Sequence, residues 1–292
     1  MTENNAMAEM PANDYAAHPL IDGMRRAGAI DRYFDLPVRD PQQDSWISGE
    51  ELFLGNDQRL RHLVQTYGQA FWGTTNAHAA GSAFIIAYLT RLVWPVIGQW
   101  VLEQQVPDVS LGNIAFHQIG DGQIGDRIDA TALARPTFAT VAKGSNAGHM
   151  DETIVADSEA LYSQLKEWLL AANLELVVES LRRAAGASVK ISWNAAATAC
   201  AQAFHHLYPV SETPETLLTH ARLLFEDSSS PLHGQLTVEA VTRQGRSGLF
   251  ARRRGCCLAW RSERANGYCS NCILTPREQQ DREFQEMLAA GK

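Results

Sequence analysis

Apolar residues recur at helical spacing along much of the chain and predict a series of helices. The first helix is predicted from about residue 56, and its apolar face is formed by Leu60, Leu63, Val64 and Phe71. A second helical region runs from about residue 78 to 103. The clearest pattern spans about residues 157–184, and its apolar stripe is formed by Leu161, Leu165, Trp168, Ala172 and Leu176.

Start signals place three more helices in the second half of the chain. Ser192 is the predicted N-cap of the first of them. The apolar face of that helix is formed by Trp193, Ala197, Cys200, Phe204 and Leu207. Thr213 and Pro214 predict the start of the next, with threonine as cap and proline at the first helical position. "TPRE", residues 275–278, is a capping box that predicts a C-terminal helix.

The pattern changes to short apolar alternations between about residues 109 and 142, around Ile114, Phe116 and Gln118. The Gly120–Asp121–Gly122 triplet predicts a hairpin-type turn there, and residues 141–151 are predicted to form a loop. "QLTVEAVT", residues 235–242, predicts a weak strand or loop. The fold class expected is therefore α+β, predominantly helical, with a small antiparallel sheet in the middle of the chain.

Composition and charge are those of a soluble globular protein: 45% of the 292 residues are hydrophobic, 20% are charged, and the net charge is -8. This balance argues against a nucleic-acid or membrane-surface binder. The most apolar run, residues 81–102, contains Arg91, Pro95 and Gly98, so it is expected to be a buried core helix rather than a membrane span. Residues 1–14 are predicted to be a disordered tail, without the basic and apolar regions of a secretory signal.

A cytoplasmic location follows as an expectation, and in that reducing compartment clustered cysteines indicate metal or redox chemistry. Four of the five cysteines lie in one stretch, in the pattern C-C-x11-C-x2-C. They are Cys256, Cys257, Cys269 and Cys272. Four thiolates so close in sequence suit either a zinc ion or an iron–sulfur cluster, and disulfides are a third alternative. The fifth, Cys200, lies on an apolar helical stripe and is interpreted as a buried core residue.

The adjacent pair favours a two-iron cluster over zinc. Cys269 and Cys272 fit the C-x2-C turn that directs two sulfurs at one ion. Cys256 and Cys257 do not, because neighbouring side chains of an extended chain point to opposite faces. A [2Fe–2S] cluster presents two metal atoms, so adjacent thiolates need not converge on one point.

The stretch "LFARRRGCCLAWRSERANGYCSNC", residues 249–272, closely resembles the C-terminal signature of the FhuF-like siderophore-iron reductases. "SWNAAATA", residues 192–199, also resembles a Trp-Asn-Ala helix start of that family. The resemblance is specific in the last forty residues and loose elsewhere. One departure is that eleven residues separate Cys257 from Cys269, where about ten are expected, and a loop absorbs one extra residue easily.

The resemblance implies a [2Fe–2S] cluster held by Cys256, Cys257, Cys269 and Cys272. It implies a cytoplasmic ferric-chelate oxidoreductase of iron uptake, which passes one electron to Fe(III) in a siderophore and so releases Fe(II). The electron donor is expected to be a separate protein or reductant, because the sequence shows no flavin or nicotinamide fingerprint. Two alternatives stay open: a structural zinc-binding protein without redox activity, and an iron–sulfur sensor or electron carrier.

Residues around the cysteines are candidates for substrate binding or for tuning the cluster. Residues 240–268 carry seven arginines and one acid, and positive charge beside a cluster stabilises its reduced form. The run that directly precedes the ligands is Arg252, Arg253 and Arg254. Trp260 and Tyr268 flank the loop between the ligand pairs, where they either pack or shield the cluster.

The expected organisation has three parts. After the tail of residues 1–14, residues 15–242 form a helix-rich α+β body that docks the substrate. Residues 243–292 form a C-terminal segment that binds the cluster and ends in a helix. A helix that begins three residues after Cys272 is expected to pin the second ligand pair.

Overall fold

The computed structural model describes residues 18–41, 45–119, 127–141, 149–211, 213–263, 265 and 267–290. Three predictions fall wholly or mostly outside these residues: the disordered tail, the turn at residues 120–122 and the loop at residues 141–151.

The described residues form eight α-helices and eight strands, joined by shorter helical turns. The helices are α1 (Pro19–Gly28), α2 (Asp57–Tyr67), α3 (Ala77–Gly98), α4 (Ser158–Leu165), α5 (Leu176–Ala185), α6 (Val189–Leu207), α7 (Pro214–Glu226) and α8 (Arg277–Ala290). The strands are β1 (Trp46–Ser48), β2 (Gln105–Pro107), β3 (Ile114–Ile119), β4 (Arg127–Leu133), β5 (Phe138–Val141), β6 (Glu152–Val155), β7 (Leu236–Arg243) and β8 (Arg246–Arg253). Four π-helical turns occupy Glu51–Gly55, Gly68–Trp72, Gln99–Glu103 and Lys166–Glu175. Four 3-10 turns occupy Arg32–Phe34, Leu111–Asn113, Tyr208–Val210 and Ala259–Arg261.

The α+β class with small sheets is confirmed. The strands form three sheets rather than one: an antiparallel β1-β3-β4 sheet, a β2-β5-β6 sheet with a parallel β5–β6 pair, and the β7–β8 hairpin. Strands β3 to β5 lie in the region predicted for antiparallel strands but are shared between two sheets. Pro136 lies between β4 and β5 and has no N–H to donate to a ladder, so the chain leaves the first sheet there.

Helices α3 and α6 pack against each other at the centre of the molecule. Small residues line this contact: a Cβ added at Gly81 would lie 2.5 Å from the Cβ of Ala187, just before α6. The helix from Ala77 to Glu103 is long and apolar enough to cross a membrane by length and composition alone, and 78% of its most apolar window is buried inside the protein. The predicted packing of this segment in the core is confirmed.

The predicted helices are found, with differences in their faces and ends. Residues 158–185 are helical throughout, but Leu176 is 39% exposed, because the buried stripe of that helix continues through Leu174 and Val177. Phe71 is 51% exposed, since it lies in the π-helical turn after α2. Helix α6 begins one turn earlier than predicted: its N-cap is Ser188, whose side chain accepts from the N–H of Ile191, while Ser192 is buried inside the helix.

The C-terminal segment is packed on the body by β8 and α8. Strand β8 contacts α6, and Leu249 belongs to the main core. Helix α8 covers the hairpin through Phe284, whose ring stacks on Phe250 with centroids 4.5 Å apart. The strand therefore delivers the residues that follow it, Arg254 to Cys257, to the side of α6.

Candidate metal centre

The loop with the adjacent cysteines is tied to the helical body by hydrogen bonds, one of them buried. Ser82 of α3 donates from its hydroxyl to the carbonyl oxygen of Cys257 at 2.6 Å. Further along the loop, the Ser262 hydroxyl and the Glu263 N–H both donate to the carbonyl oxygen of Trp72, each at 3.1 Å. These contacts fix the position of Cys257 relative to α3.

The second cysteine pair is held by a tight turn and by helix α8. The Cys272 N–H donates to the Cys269 carbonyl at 2.9 Å, as expected for a C-x2-C turn. The Gln280 side chain of α8 donates to the Cys272 carbonyl at 2.9 Å, so the helix holds this turn as predicted. The predicted capping box is used differently, because the Thr275 hydroxyl donates to the Cys269 carbonyl and α8 begins at Arg277.

The four thiols lie in different environments. Cys257 and Cys272 are buried, Cys256 is partly exposed and Cys269 is exposed. Backbone amides donate to sulfurs of both pairs, at 3.3 Å from Leu258 N to Cys256 Sγ and at 3.5 Å from Leu274 N to Cys272 Sγ. Leu258 has a φ of 64°, a left-handed conformation that is unfavourable for leucine and turns the chain directly after the adjacent pair.

Cys257 and Cys269 form a close pair across the two halves of the motif. A hydrogen bond from Cys269 lowers the pKa of Cys257, and the nearby Arg253 guanidinium acts in the same direction. The same hydrogen bond raises the pKa of Cys269. Burial raises the pKa of Cys272. Cys269 and Arg253 therefore both favour the thiolate form of Cys257.

The four thiols are suitable ligands for a metal centre, and the distances between their sulfur atoms bear on whether it is zinc or a two-iron cluster. A tetrahedral zinc site with Zn–S bonds of about 2.3 Å needs all its sulfurs about 3.8 Å apart. Among the described residues, the one group of three or more candidate ligand atoms that lie mutually within 4.8 Å contains no cysteine, so no three of these sulfurs are preassembled for a single ion. A two-iron cluster needs only pairs of thiolates close together, because each iron takes two.

The three consecutive arginines have three different roles. Arg252 pairs with Glu239 and Asp281, and its guanidinium lies 4.9 Å from the centre of the Phe284 ring. Arg253 is 8% exposed and donates to the side-chain oxygen of Asn194 in α6. Arg254 is exposed. Of the run, Arg253 is the residue whose charge lowers the pKa of Cys257.

Trp260 and Tyr268 lie on the surface beside the exposed ligand. Their rings meet edge to face with centroids 6.0 Å apart, and they are 38% and 55% exposed. The Arg261 guanidinium lies 5.1 Å from the centre of the Trp260 ring. Neither ring belongs to the core, so the two form a surface patch next to Cys269.

Cys200 lies apart from these residues in the core of the protein. It is completely buried in α6, and burial raises the pKa of its thiol to about 12. The prediction that it is a core residue is confirmed.

Sequence reasoning missed a group formed by His18, His149 and Asp151, which the fold brings together from distant positions. His18 Nδ1 accepts the N–H of Leu20, so the neutral ring carries its proton on Nε2, which points at Asp151 Oδ2 at 3.4 Å. His149 Nδ1 likewise accepts the N–H of Asp151 at 3.2 Å. Both imidazole lone pairs are thus directed at backbone amides, and the group is arranged as a clamp between α1 and the start of β6 rather than as three free metal ligands.

No family model matches the chain, and no curated protein matches it either. The function is therefore inferred from the residues and their geometry.

Proposed function

We propose that the protein is a cytoplasmic ferric siderophore reductase that binds a [2Fe–2S] cluster through Cys256, Cys257, Cys269 and Cys272. The observation that carries this proposal is the arrangement of the four thiols. Two halves of the motif are anchored separately, by α3 and by α8, and Cys257 and Cys269 lie close enough for each to shift the pKa of the other.

The hydrogen-bond donors around the thiolates suit an anionic cluster. Amide N–H groups of Leu258 and Leu274 donate to sulfurs, and Arg253 approaches Cys257, so donors surround the thiolates. Such donors stabilise negative charge on cluster sulfurs and raise the reduction potential. The same donors would stabilise zinc thiolates as well, so the preference for a cluster rests on the sulfur positions, because no three of these sulfurs are collected for one ion.

The exposure of the ligands suggests where the substrate docks. When bound, a [2Fe–2S] cluster stores one electron between a donor and the Fe(III) substrate. Cys269 is the exposed ligand, so a chelate docked on this face is brought nearest to the metal centre. Trp260 and Tyr268 offer aromatic contact there, and the exposed Arg254 and Arg261 attract an anionic chelate. Siderophore oxygens are hard donors that hold Fe(II) much less tightly than Fe(III), so reduction releases the metal.

The electron donor is proposed to be a separate protein or reductant. One electron enters per Fe(III) reduced, and the products are Fe(II) and the free siderophore. We propose neither a nucleic-acid partner nor a membrane-spanning role for the protein.

Single-turnover reduction tests the function. The protein is purified anaerobically, reduced with dithionite, desalted and mixed with ferric hydroxamate, catecholate and carboxylate chelates, while a ferrous-specific dye reports Fe(II). We expect about one Fe(II) per reduced cluster with at least one chelate class, together with reoxidation of the cluster. A red-brown protein that reduces none of the chelates would instead identify a sensor or carrier.

Cysteine variants test the ligand assignment. Cys256→Ser, Cys257→Ser, Cys269→Ser and Cys272→Ser are each expected to lose most of the visible absorbance of the cluster. Cys200→Ala is the matched control, and it should keep the absorbance because its side chain is buried in α6. The assignment would be reversed by loss of colour in Cys200→Ala and its retention in any of the other four.

A further inference from the structure

Arg253 is a buried cation without a buried anion to match it. Its side chain donates from Nε and Nη2 to Asn194 Oδ1, at 3.2 and 2.8 Å. Asn194 is neutral, and no carboxylate among the described residues pairs with this guanidinium, in contrast to Arg252, which has two. Burying an uncompensated charge is costly, so the surroundings of Arg253 must supply negative charge.

The negative charge available to Arg253 is that of the cysteine thiolates. Two of its five N–H donors point at Asn194, which leaves the others for a further acceptor. The guanidinium is held on Asn194, which lies against Gly255 just before the first ligand pair. The backbone N–H of Arg253 donates to the carbonyl oxygen of Asn271 at 3.4 Å, directly before Cys272, so the cation lies beside both halves of the motif.

Asn194, which orients Arg253, is itself held in place by hydrogen bonds and close packing. It is 1% exposed, and its side-chain amide donates to the carbonyl oxygen of Gln235 at 3.0 Å. The N–H of Arg254 donates to the same carbonyl at 2.8 Å. Gly255 lies so close that an added Cβ would be 2.8 Å from the Asn194 side chain. One buried residue of α6 thus fixes both the arginine and the backbone just before the ligands.

We propose that Arg253, held in place by Asn194, raises the reduction potential of the cluster through its positive charge, and that Arg252 and Arg254 do not share this role. The inference rests on the proposed [2Fe–2S] function. A reduced cluster carries one more negative charge than an oxidised one, so a fixed buried cation stabilises the reduced form more. Because the guanidinium is shielded from solvent, salt screens its effect much less than that of a surface arginine.

Redox titration of the purified, cluster-loaded protein tests this inference. In Arg253→Gln, the ratio of reduced to oxidised cluster at a fixed donor potential is expected to fall at least tenfold, which is about 59 mV for a one-electron couple. Arg253→Lys keeps the charge and should recover most of the loss. Arg254→Gln is the matched control from the same run and should change the ratio less than twofold. The shift in Arg253→Gln should be the same at low and high salt.

A second variant leaves the arginine in place and cancels its charge. Asn194→Asp puts a carboxylate oxygen within about 3 Å of the guanidinium, and this neighbouring negative charge should lower the potential in the same direction as Arg253→Gln. This variant tests the inference if Arg253→Gln does not fold or does not incorporate the cluster.

The inference is overturned if loaded Arg253→Gln or Asn194→Asp keeps the wild-type potential, or if Arg254→Gln shifts it equally. Either result leaves the reductase proposal intact, because the wild-type protein would still bind a cluster and reduce chelates. Absence of a cluster in the wild-type protein is a different outcome, which removes the proposed function and this inference with it.

Discussion

At the scale of single residues, the candidate site depends on a close approach that only glycine permits. Gly255 precedes the first ligand and lies against Asn194, where a methyl group would be 2.8 Å from the side-chain carbon Cγ. The neighbour is itself fixed by three hydrogen bonds, so it has little freedom to move away.

Gly255→Ala is therefore expected to destabilise the protein by about 1–3 kcal/mol, as other overpacking substitutions do, and to impair cluster incorporation. Urea unfolding monitored by circular dichroism measures the first effect, and visible absorbance measures the second. Gly55→Ala is the matched control, because nothing lies within 4 Å of the Cβ it adds. Equal stability of the two variants would show that the Asn194 contact is not close.

Single residues also show which parts of the site can be predicted from the sequence. The four candidate ligands were predicted because they lie within one short stretch with a recognisable spacing. Their supports were not, because Asn194 lies 59 residues from Arg253 and Ser82 lies 175 residues from Cys257. A run of three arginines gives no indication of which one is buried, since that depends on the direction of β8 against α6.

At the scale of elements, the N-terminal helix is attached by a buried histidine. His18 caps α1 and contacts Asp151, and its ring meets that of His149 with centroids 4.3 Å apart. Burial, and then the nearby His149, lower the pKa of His18 below its usual 6.5, although Asp151 and Asp22 act in the opposite direction.

This lowered pKa gives a stability that depends on pH. Below about pH 6.5 the histidine of the unfolded chain takes up a proton before that of the folded chain, so the free energy of unfolding falls as the pH decreases. His18→Asn keeps a capping acceptor and removes the titration, so its melting temperature should fall less than that of the wild type between pH 7 and pH 5. His233→Asn, on the surface, should follow the wild-type profile. A His18→Asn profile that matches the wild type would show that the titration of His18 does not contribute to the pH dependence of stability.

Helices were predicted better than sheets for a physical reason. A helix closes its hydrogen bonds within itself, so apolar spacing and start signals such as Pro214, the first residue of α7, already indicate its position. The partner of a strand is set by the tertiary fold: β5 pairs with β2, over thirty residues earlier, and with β6 in parallel. Strand β8 was not anticipated, because its arginine-rich sequence indicates a polar surface segment.

At the scale of the whole molecule, charge is unevenly distributed. The chain has a net charge of -8, whereas residues 240–268 carry seven arginines and one acid. Arg252 and Arg253 are occupied by protein partners, while Arg254 and Arg261 are exposed. Attraction of an anionic chelate is therefore expected to come from the exposed pair.

Replacing Arg254 and Arg261 together with glutamine should slow the reduction of an anionic ferric chelate about two- to thirtyfold at low salt, given roughly 0.2–1 kcal/mol for each exposed charge. The dependence on ionic strength should weaken as well, and stopped-flow mixing at several salt concentrations measures both. A neutral ferric chelate is the internal control and should react at the wild-type rate. If the anionic chelate also reacts at the wild-type rate, the exposed arginines do not guide the substrate.

The central claim concerns what the four cysteines hold, and the metal and sulfide content of the protein tests it most directly. After anaerobic purification of the full chain, iron, acid-labile sulfide and zinc are measured against protein concentration. The account predicts about two irons and two sulfides per chain, with negligible zinc and a red-brown colour that dithionite bleaches. One zinc per chain in a colourless protein without sulfide would contradict it and establish a structural zinc site instead.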